Sequence, residues 1–492
     1  MLPASPRTLA LPWTHVDDVF VDGAWLAVQG TGAGVELVDP ATDEVWGSVP
    51  DVGAEVVDLA VGAAHRAFAD RRWRDVPVSE RAAVLVRAAA LLEARADALA
   101  HTVTRENGST ITETSGAAAN AAAILRHTAS LSGWLTQDDV RPFPHGPGET
   151  VVHRDPLGVC ALIAPWNFPI NLMVIKLAPA LLAGNSVVMK PAPSTSLSIR
   201  FVLEALVEAG VPAGVLNLVT GGAACGDALV RHPLVAKVAF TGSTPVGRRI
   251  GAVCGELLRP VTLELGGKSA AIVMPDADLA ALTAGLVRSC LRNSGQTCYI
   301  ATRLLVPRSR HDEIVAAVAE VVAAAAVGDP LDPATVFGPV ASAAQRDAVV
   351  QHLERAADEG VRFTTGGRAL PGPGCFVAPT VALAEPHHSL ARDEVFGPVL
   401  TLIAYDDADG SVEEAITIAN DTSFGLGGIV FGRDAEAAEA VARRIDTGSV
   451  GINFFASNHD APFGGRHDSG LGVEYGVEGL AQYVTFQSLH RR

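Results

Sequence analysis

The sequence predicts an α/β protein with a doubly wound parallel sheet, followed in the chain by a second α/β block. Three observations carry that expectation. From Gly158 onward, short β-rich runs alternate with helical stretches, the pattern that places helices on both faces of a parallel sheet. The chain has 492 residues, and at roughly 150 residues per domain that length suggests about three domains. The hydrophobic fraction is 49% and the charged fraction 18%, a balance that suits a large core needing no disulfide staples.

The elements follow in order. Val56 to Asn107 reads as two amphipathic helices around Trp73–Pro77, the second running from Ser79 to Glu106 and ending at Gly108. Ser115 to Trp134 is a further helical stretch. Pro142, Pro144 and Pro147 then punctuate a loop before the extended segment Glu149 to Arg154. A strand at Val159–Ile163 leads through Pro165-Trp166-Asn167-Phe168-Pro169 into a helix to Leu182. The next strand–helix pair is Ser186–Met189 and Leu197–Ala209. Val215–Val219 precedes Gly221-Gly222 and a short helix. Val235–Phe240 runs into Thr241-Gly242-Ser243-Thr244 and a helix through Gly251. The second block spans about Gly267 to Asn453. Tyr483–Leu489 is a lone terminal strand, able to pair with another chain or internally.

Composition excludes several function classes. The net charge of −17 argues against nucleic acid and anionic membrane, which need basic stripes. The most apolar stretch, Ile314 to Val327, is 14 residues long and contains Glu320, short of the roughly 20 residues of a membrane span. Met1 to Thr14 carries three prolines and no apolar run, so no secretory leader is expected. The six cysteines form no CxxC pair, and no histidine cluster has zinc spacing. No metal is therefore predicted, and a reducing cytoplasm is the expected location. Only four lysines occur, at 176, 190, 237 and 268, in a chain that otherwise uses arginine. A retained lysine implies that a compact ammonium is wanted there.

Three segments suggest chemistry. Asn293-Ser294-Gly295-Gln296-Thr297-Cys298 places a thiol after a glycine-containing turn. Glu264-Leu265-Gly266-Gly267-Lys268 places a carboxylate on another turn, 34 residues upstream. Asn167 lies between a strand end and a helix, where its amide either faces a developing oxyanion or caps the helix. The turn Thr241–Thr244 opens a helix whose free N–H groups and dipole suit a pyrophosphate, although Gly242 and Gly247 give GxxxxG, not GxGxxG.

Together these segments resemble the aldehyde dehydrogenase superfamily. Further matches are Val21-Asp22-Gly23-Ala24-Trp25, Lys190-Pro191-Ala192-Pro193, Phe240–Thr244, Glu394-Val395-Phe396-Gly397-Pro398 and Pro462-Phe463-Gly464-Gly465, so the resemblance covers nearly the whole chain. It implies NAD(P)-dependent oxidation of an aldehyde to a carboxylic acid. Cys298 would be the nucleophile, forming a thiohemiacetal and then a thioester, and a lowered thiol pKa would help it. Asn167 and the Cys298 N–H would form the oxyanion hole. Glu264 would activate water, and Lys176 would support the cluster. The resemblance also implies that Lys190 binds the adenosine ribose and that Glu394 and Phe396 hold the nicotinamide end. It extends the expected cofactor contacts to Ile163, Pro165, Trp166, Pro193, Gly222, Phe240, Thr241, Gly242, Ser243, Val246, Leu265 and Gly266.

Three positions depart from the family pattern. Pro193 stands where many NAD-preferring members carry a Glu, so NAD is expected with NADP tolerated. His467 replaces a common Lys. Gly472-Val473-Glu474 replaces Gly-Arg-Glu. Neither of the last two is expected to touch the chemistry. Phe168, Leu172, Met173, Arg292, Thr297, Tyr299 and Phe454–His459, with Phe455 among them, are expected along the substrate tunnel. Arg292 either binds a substrate carboxylate, as in semialdehyde dehydrogenases that resemble this family, or pairs with an acid of the protein. A CoA-acylating enzyme, a catalytically silent homologue and a thiol esterase are the rival readings. The implied organisation is a cofactor domain at 1–132 and 156–265 and a catalytic domain at 266–462. An oligomerisation arm at 133–155 and 463–492 would build a homodimer or homotetramer.

Overall fold

The computed structural model describes Trp13, residues 16–28 and residues 34–492. The expectation about a leader at Met1–Thr14 thus lies outside the described residues, Trp13 apart.

Five parallel strands form the heart of an eight-stranded sheet: Val159–Ile163, Ser186–Lys190, Leu216–Leu218, Val235–Thr241 and Val261–Glu264. Their spatial order is third, second, first, fourth, fifth. The winding reverses between Val159–Ile163 and Val235–Thr241, which pair directly, and a ligand crevice belongs at the carboxyl ends of such a pair. Val159–Ile163 and Ser186–Lys190 are buried at every position. Their unbroken apolar runs reflect helices packed on both faces of the sheet.

The helix Pro169–Ala183 begins with proline at its first position and stops at Gly184, φ +96°. Proline there lacks a hydrogen that would go unbonded anyway, and glycine accepts the left-handed stop.

A second, seven-stranded sheet is parallel apart from the edge strand Arg362–Thr365. Its central strands, Ala270–Val273 and Arg303–Pro307, flank the chain that carries Cys298. A third sheet is three-stranded and antiparallel, built from Asp139–Pro142, Glu149–Pro156 and Val484–Arg491. The terminal strand therefore pairs within its own chain, from Val484 opposite Pro156 to Arg491 opposite Glu149.

Three expected boundaries change. The long helix Ser79–Glu106 is two helices, Val78–Glu93 and Ala96–Asn107. No glycine or proline marks the break, so packing sets it. Ser115–Trp134 resolves into Ala117–Ser130 and Ser132–Thr136. The 463–492 segment does not act as one arm. Its Gly470–Leu471 strand joins the eight-stranded sheet, antiparallel to Leu263–Glu264, and so carries Glu474 toward the end of that sheet. The apolar stretch at 314–327 falls in the amphipathic helix His311–Ala324, which buries Ile314, Val318 and Val322. Among the described residues, no helix is long and apolar enough to cross a membrane.

Candidate active site

Cys298 sits on the connection between the helix Leu279–Cys290 and the strand Arg303–Pro307. Asn293, Ser294 and Gly295 are consecutively left-handed, with φ of +54°, +53° and +76°. A Cβ on Gly295 would lie 1.8 Å from the Gly397 carbonyl oxygen, so this position admits only glycine. Crosslinks hold the loop: Ser294 Oγ donates to Gly338 O at 3.0 Å, and Ala341 N donates to Gln296 Oε1 at 2.9 Å. Such a loop presents its cysteine in a set orientation. Of the six free cysteines, the other five are buried and Cys298 alone is partly exposed.

The thiol is not activated in the way a lowered pKa would require. Burial pushes it well above its ordinary range, and the carboxylates of Glu394 and Glu264 push it further. The expected nearby cation or helix dipole does not prevail, because the neighbouring charges are acidic.

Asn167 does not cap the following helix. The capping position is Phe168, and no side chain satisfies that helix start. Instead Asn167 is buried, and its Nδ2 donates to Gln296 O, two residues from Cys298, at 3.0 Å. Asn107 Nδ2 donates to Trp166 O at 2.8 Å, and Asn293 Nδ2 to Asn167 O at 3.2 Å. The amide is thus clamped to the cysteine loop with one N–H still uncommitted.

Glu264 ends the strand Val261–Glu264 and is buried, with neither carboxylate oxygen hydrogen-bonded. Its pKa is raised well above the usual range, first by burial and then by Glu474, with Lys176 opposing. A buried carboxyl without partners is costly, and one with a raised pKa suits general-base work. Lys176 is fully buried and forms an ion pair with Glu474; its Nζ also donates to Thr241 Oγ1 at 2.6 Å. Sequence reasoning set the Gly472–Glu474 tripeptide apart from the chemistry. The structure corrects this for Glu474, whose buried carboxylate completes a Glu264–Lys176–Glu474 cluster. The residue that departs from the family pattern is Val473, and the retained glutamate was the overlooked signal.

The cofactor candidates line the carboxyl ends of the first sheet. Ile163 ends one central strand, with Pro165 and Trp166 just after it; Phe240 and Thr241 end its neighbour, with Gly242 and Ser243 just after. Ser243 is the capping residue of the helix Thr244–Glu256 but makes no side-chain cap bond, leaving N–H groups at that terminus for an anion. A Cβ on Gly247 would meet Leu265 at 2.3 Å, so the helix start lies tight against the strand end. Val246 is 43% exposed on the first turn.

A cleft of about 450 Å³ has Ser243, Thr244 and Pro245 on one wall and Arg392, Asp393 and Glu394 on another. Glu394 Oε1 accepts from Gly267 N at 2.9 Å, and burial pushes its pKa up to about 7. A Cβ on Gly266 would lie 2.3 Å from this carboxylate. Phe396, φ +54°, sets its ring edge-on to Trp166 at 5.5 Å. Lys190 is buried beside Gly226 and Cys225; burial lowers its pKa, opposed by Cys225 and Asp51. Pro193 starts a short 3₁₀ turn, and Gly222 N donates to Asp51 Oδ1 at 2.9 Å. A free helix terminus, a buried ammonium and a carboxylate at the far wall fit a dinucleotide. Among the described residues there is no metal-binding cluster.

Two connected chambers lead to the thiol. The inner one, about 90 Å³, is lined by Asn120, Asn167, Phe168, Leu172, Ile175, Arg292, Thr297, Cys298, Tyr299, Ser457, Phe463, Glu474 and Tyr475. The outer one, about 330 Å³, shares Phe168, Arg292 and Tyr299 and adds Glu113, Phe455 and His459. Tyr299 stacks on Phe455 at 4.8 Å. Three expected tunnel residues, Met173, Phe454 and Asn458, are absent from both linings. Met173 is fully buried in the core, because one helical step past Leu172 turns it to the opposite face. Phe454 and Asn458 line a separate neighbouring hollow with Gly451 and Pro462.

Comparison with known proteins agrees with this geometry. The aldehyde dehydrogenase family model matches residues 25–489. This chain belongs to the aldehyde dehydrogenase family. It is 46% identical, over 96% of its length and 98% of the relative's, to a geranial dehydrogenase of Castellaniella defragrans. It is 38% identical to a phenylacetaldehyde dehydrogenase of Pseudomonas fluorescens, over 96% and 95% of the two chains. Among solved structures, an aldehyde dehydrogenase of Pseudomonas syringae in complex with NAD+ and octanal superposes with a TM-score of 0.92 at 37% identity, covering 98% of each chain. An NADP-dependent enzyme of E. coli gives a TM-score of 0.92 at 35% identity, over 96% and 98%. As a family member, the chain is an NAD(P)-dependent aldehyde dehydrogenase with that family's fold.

Within this aldehyde dehydrogenase, Arg292 proves to be paired with an acid of the protein. Its guanidinium forms an ion pair with Glu113, and its Nη1 donates to Tyr299 Oη at 2.6 Å. Glu113 carried no sequence signal, since it lies 179 residues from Arg292.

Proposed function

We propose that this enzyme oxidises an uncharged apolar aldehyde to its carboxylic acid through a thioester on Cys298, hydrolysed with Glu264 as general base. The observation that supports this most is the meeting of Cys298 and Asn167 on one small chamber, with an unpartnered buried Glu264 electrostatically coupled to the thiol.

The residues divide the work. The thiol gives its proton to solvent water, a step that its raised pKa makes faster at higher pH. The thiolate attacks the aldehyde carbon. Charge moves to the carbonyl oxygen, where the spare Asn167 N–H and the Cys298 backbone N–H stabilise it; losing one such donor typically costs about 10²–10³ in rate. Bound NAD+ supplies the hydride acceptor. Residues 163–166, 240–243, Lys190, Gly222, Val246, Leu265, Gly266, Glu394 and Phe396 would hold it. With no carboxylate at Pro193, NADP is tolerated. The acyl group remains on sulfur as a thioester. Glu264 then takes a proton from water, and the Lys176–Glu474 pair keeps the charge of this buried cluster balanced.

The substrate follows from the walls. Phe168, Tyr299, Phe455, Phe463 and Tyr475 surround the chambers, which suits apolar, unsaturated or aromatic aldehydes such as those named for the two relatives above. Arg292, already tied to Glu113, is no free anchor for a semialdehyde carboxylate. Glu264 speaks against CoA acylation, which needs no base for water.

We also read the two large sheets as cofactor and catalytic domains and the three-stranded sheet as the surface for a homodimer or homotetramer. Six unpaired cysteines fit a cytoplasmic location.

The test is NADH absorbance with a panel of aldehydes, with and without CoA. Cys298→Ala should abolish NADH formation. Glu264→Gln should give a burst of NADH near one per site, then little turnover. Undiminished activity in Cys298→Ala refutes the mechanism.

A further inference from the structure

We propose that Glu113 is a specificity-determining residue: by engaging Arg292 it leaves the inner chamber without a free cation and so excludes aldehydes that carry a carboxylate. The inference rests on the tunnel described above and names what that tunnel rejects.

Arg292 lines both chambers, and among the described residues it is the one Lys or Arg side chain lining the inner one. Its side chain is 32% exposed and that of Glu113 is 23% exposed, so the pair is sheltered but accessible from the tunnel. Each nitrogen of the fork has a partner. Nε donates to Glu113 Oε1 at 2.9 Å, Nη2 pairs with the same carboxylate, and Nη1 donates to Tyr299 Oη at 2.6 Å. The guanidinium carbon also stands 5.1 Å from the centre of the Phe168 ring. An incoming carboxylate would have to displace Glu113 and would meet its negative charge. Arg288 is a second cation on the outer wall, but it is exposed, and solvent screens it.

The two partners come from different parts of the fold. Glu113 lies on the short helix Ile111–Thr114, beside the first sheet's helices; Arg292 belongs to the cysteine loop. Selectivity in the catalytic loop is therefore set from the other side of the tunnel. Replacing Glu113 by glutamine keeps a hydrogen-bond acceptor but removes its charge. The tunnel wall then gains a net positive charge about one side chain away from the thiol.

The experiment compares butanal, pentanal and hexanal with the corresponding ω-oxo acids of four, five and six carbons. Wild type should favour the neutral series. Glu113→Gln should raise the ratio of kcat/KM for oxo acid over neutral aldehyde by about tenfold or more at the best-fitting length, the scale of one charge-assisted hydrogen bond. Adding Arg292→Gln should abolish that gain. A second readout avoids turnover: glutarate should slow iodoacetamide alkylation of Cys298 in Glu113→Gln but not in wild type.

An unchanged ratio, a gain that survives loss of Arg292, or absent glutarate protection overturns the proposal. A wild type that prefers oxo acids overturns it too, while leaving the dehydrogenase reading intact. A wild type that forms NADH from no aldehyde at all defeats both.

Discussion

At the residue scale, burial decides the chemistry. All four lysines are buried: Lys176, Lys190, Lys237 and Lys268. The arginine-rich remainder of the chain made them conspicuous, and the compact ammonium explains their use, since it fits where a guanidinium fork would not. Lys176 pairs with Glu474, Lys190 packs beside Gly226, and Lys237 donates to Thr262 Oγ1 at 2.8 Å. The pH dependence follows from the acids around the thiol. Burial raises both Cys298 and Glu264, and each works only when deprotonated. Acylation and deacylation should therefore both speed up as pH rises through neutrality into the alkaline range. Stopped-flow bursts and steady-state rates from about pH 6 to about pH 9 would check this. A flat steady-state profile across that range would contradict the assignment of Glu264. In Glu264→Gln the burst should persist, while the rising limb of deacylation disappears.

At the element scale, the cysteine loop is the most demanding piece of backbone. Three consecutive left-handed residues turn the chain, and Gly295 passes against Gly397 of the segment that carries Glu394 and Phe396. This contact packs the Cys298 loop against the segment of Glu394 and Phe396. Gly295→Ala should cost more than the roughly 1 kcal/mol of a strained glycine site, because the added carbon overlaps a carbonyl. The expected outcome is a lower thermal midpoint together with loss of NADH formation. Wild-type stability in this variant would mean that the loop relaxes freely. The helices and strands themselves were readable from periodicity: Val159–Ile163, Ser186–Lys190 and Pro169–Ala183 lie within a residue or two of expectation. The break between Val78–Glu93 and Ala96–Asn107 was not readable. Alanine and leucine continue through it, and only the packed partners interrupt the helix.

At the scale of the whole molecule, the three-stranded sheet leaves an apolar surface. Leu489 is 50% exposed and Val140 40%; both stand opposite Val151 and so share one face, while Phe486, 59% exposed, points to the other face, and the Val484–Arg491 strand has a neighbour on one edge only. Exposed apolar patches of this kind mark association surfaces. Leu489→Glu with Val140→Glu should shift sedimentation toward the monomer without unfolding the chain, since neither side chain is in the core. An unaltered sedimentation coefficient would place the interface elsewhere.

Fold class and strand sequence could be read along the chain, because periodicity and turn residues are local properties; Cys298, Glu264 and Asn167 were singled out by the family resemblance. Pairing of distant side chains could not. Glu474 reaches Lys176 across 298 residues, and Glu113 reaches Arg292 across 179. Glu113 belongs to no local pattern that distinguishes it from a solvated surface charge, and the retained Glu474 of Gly472-Val473-Glu474 carries no local sign of the lysine it meets. Folding alone brings each opposite its cation, burying the Lys176–Glu474 pair and sheltering Arg292–Glu113 beside the tunnel; a carboxylate's surroundings, which the tertiary structure sets, decide what it can do.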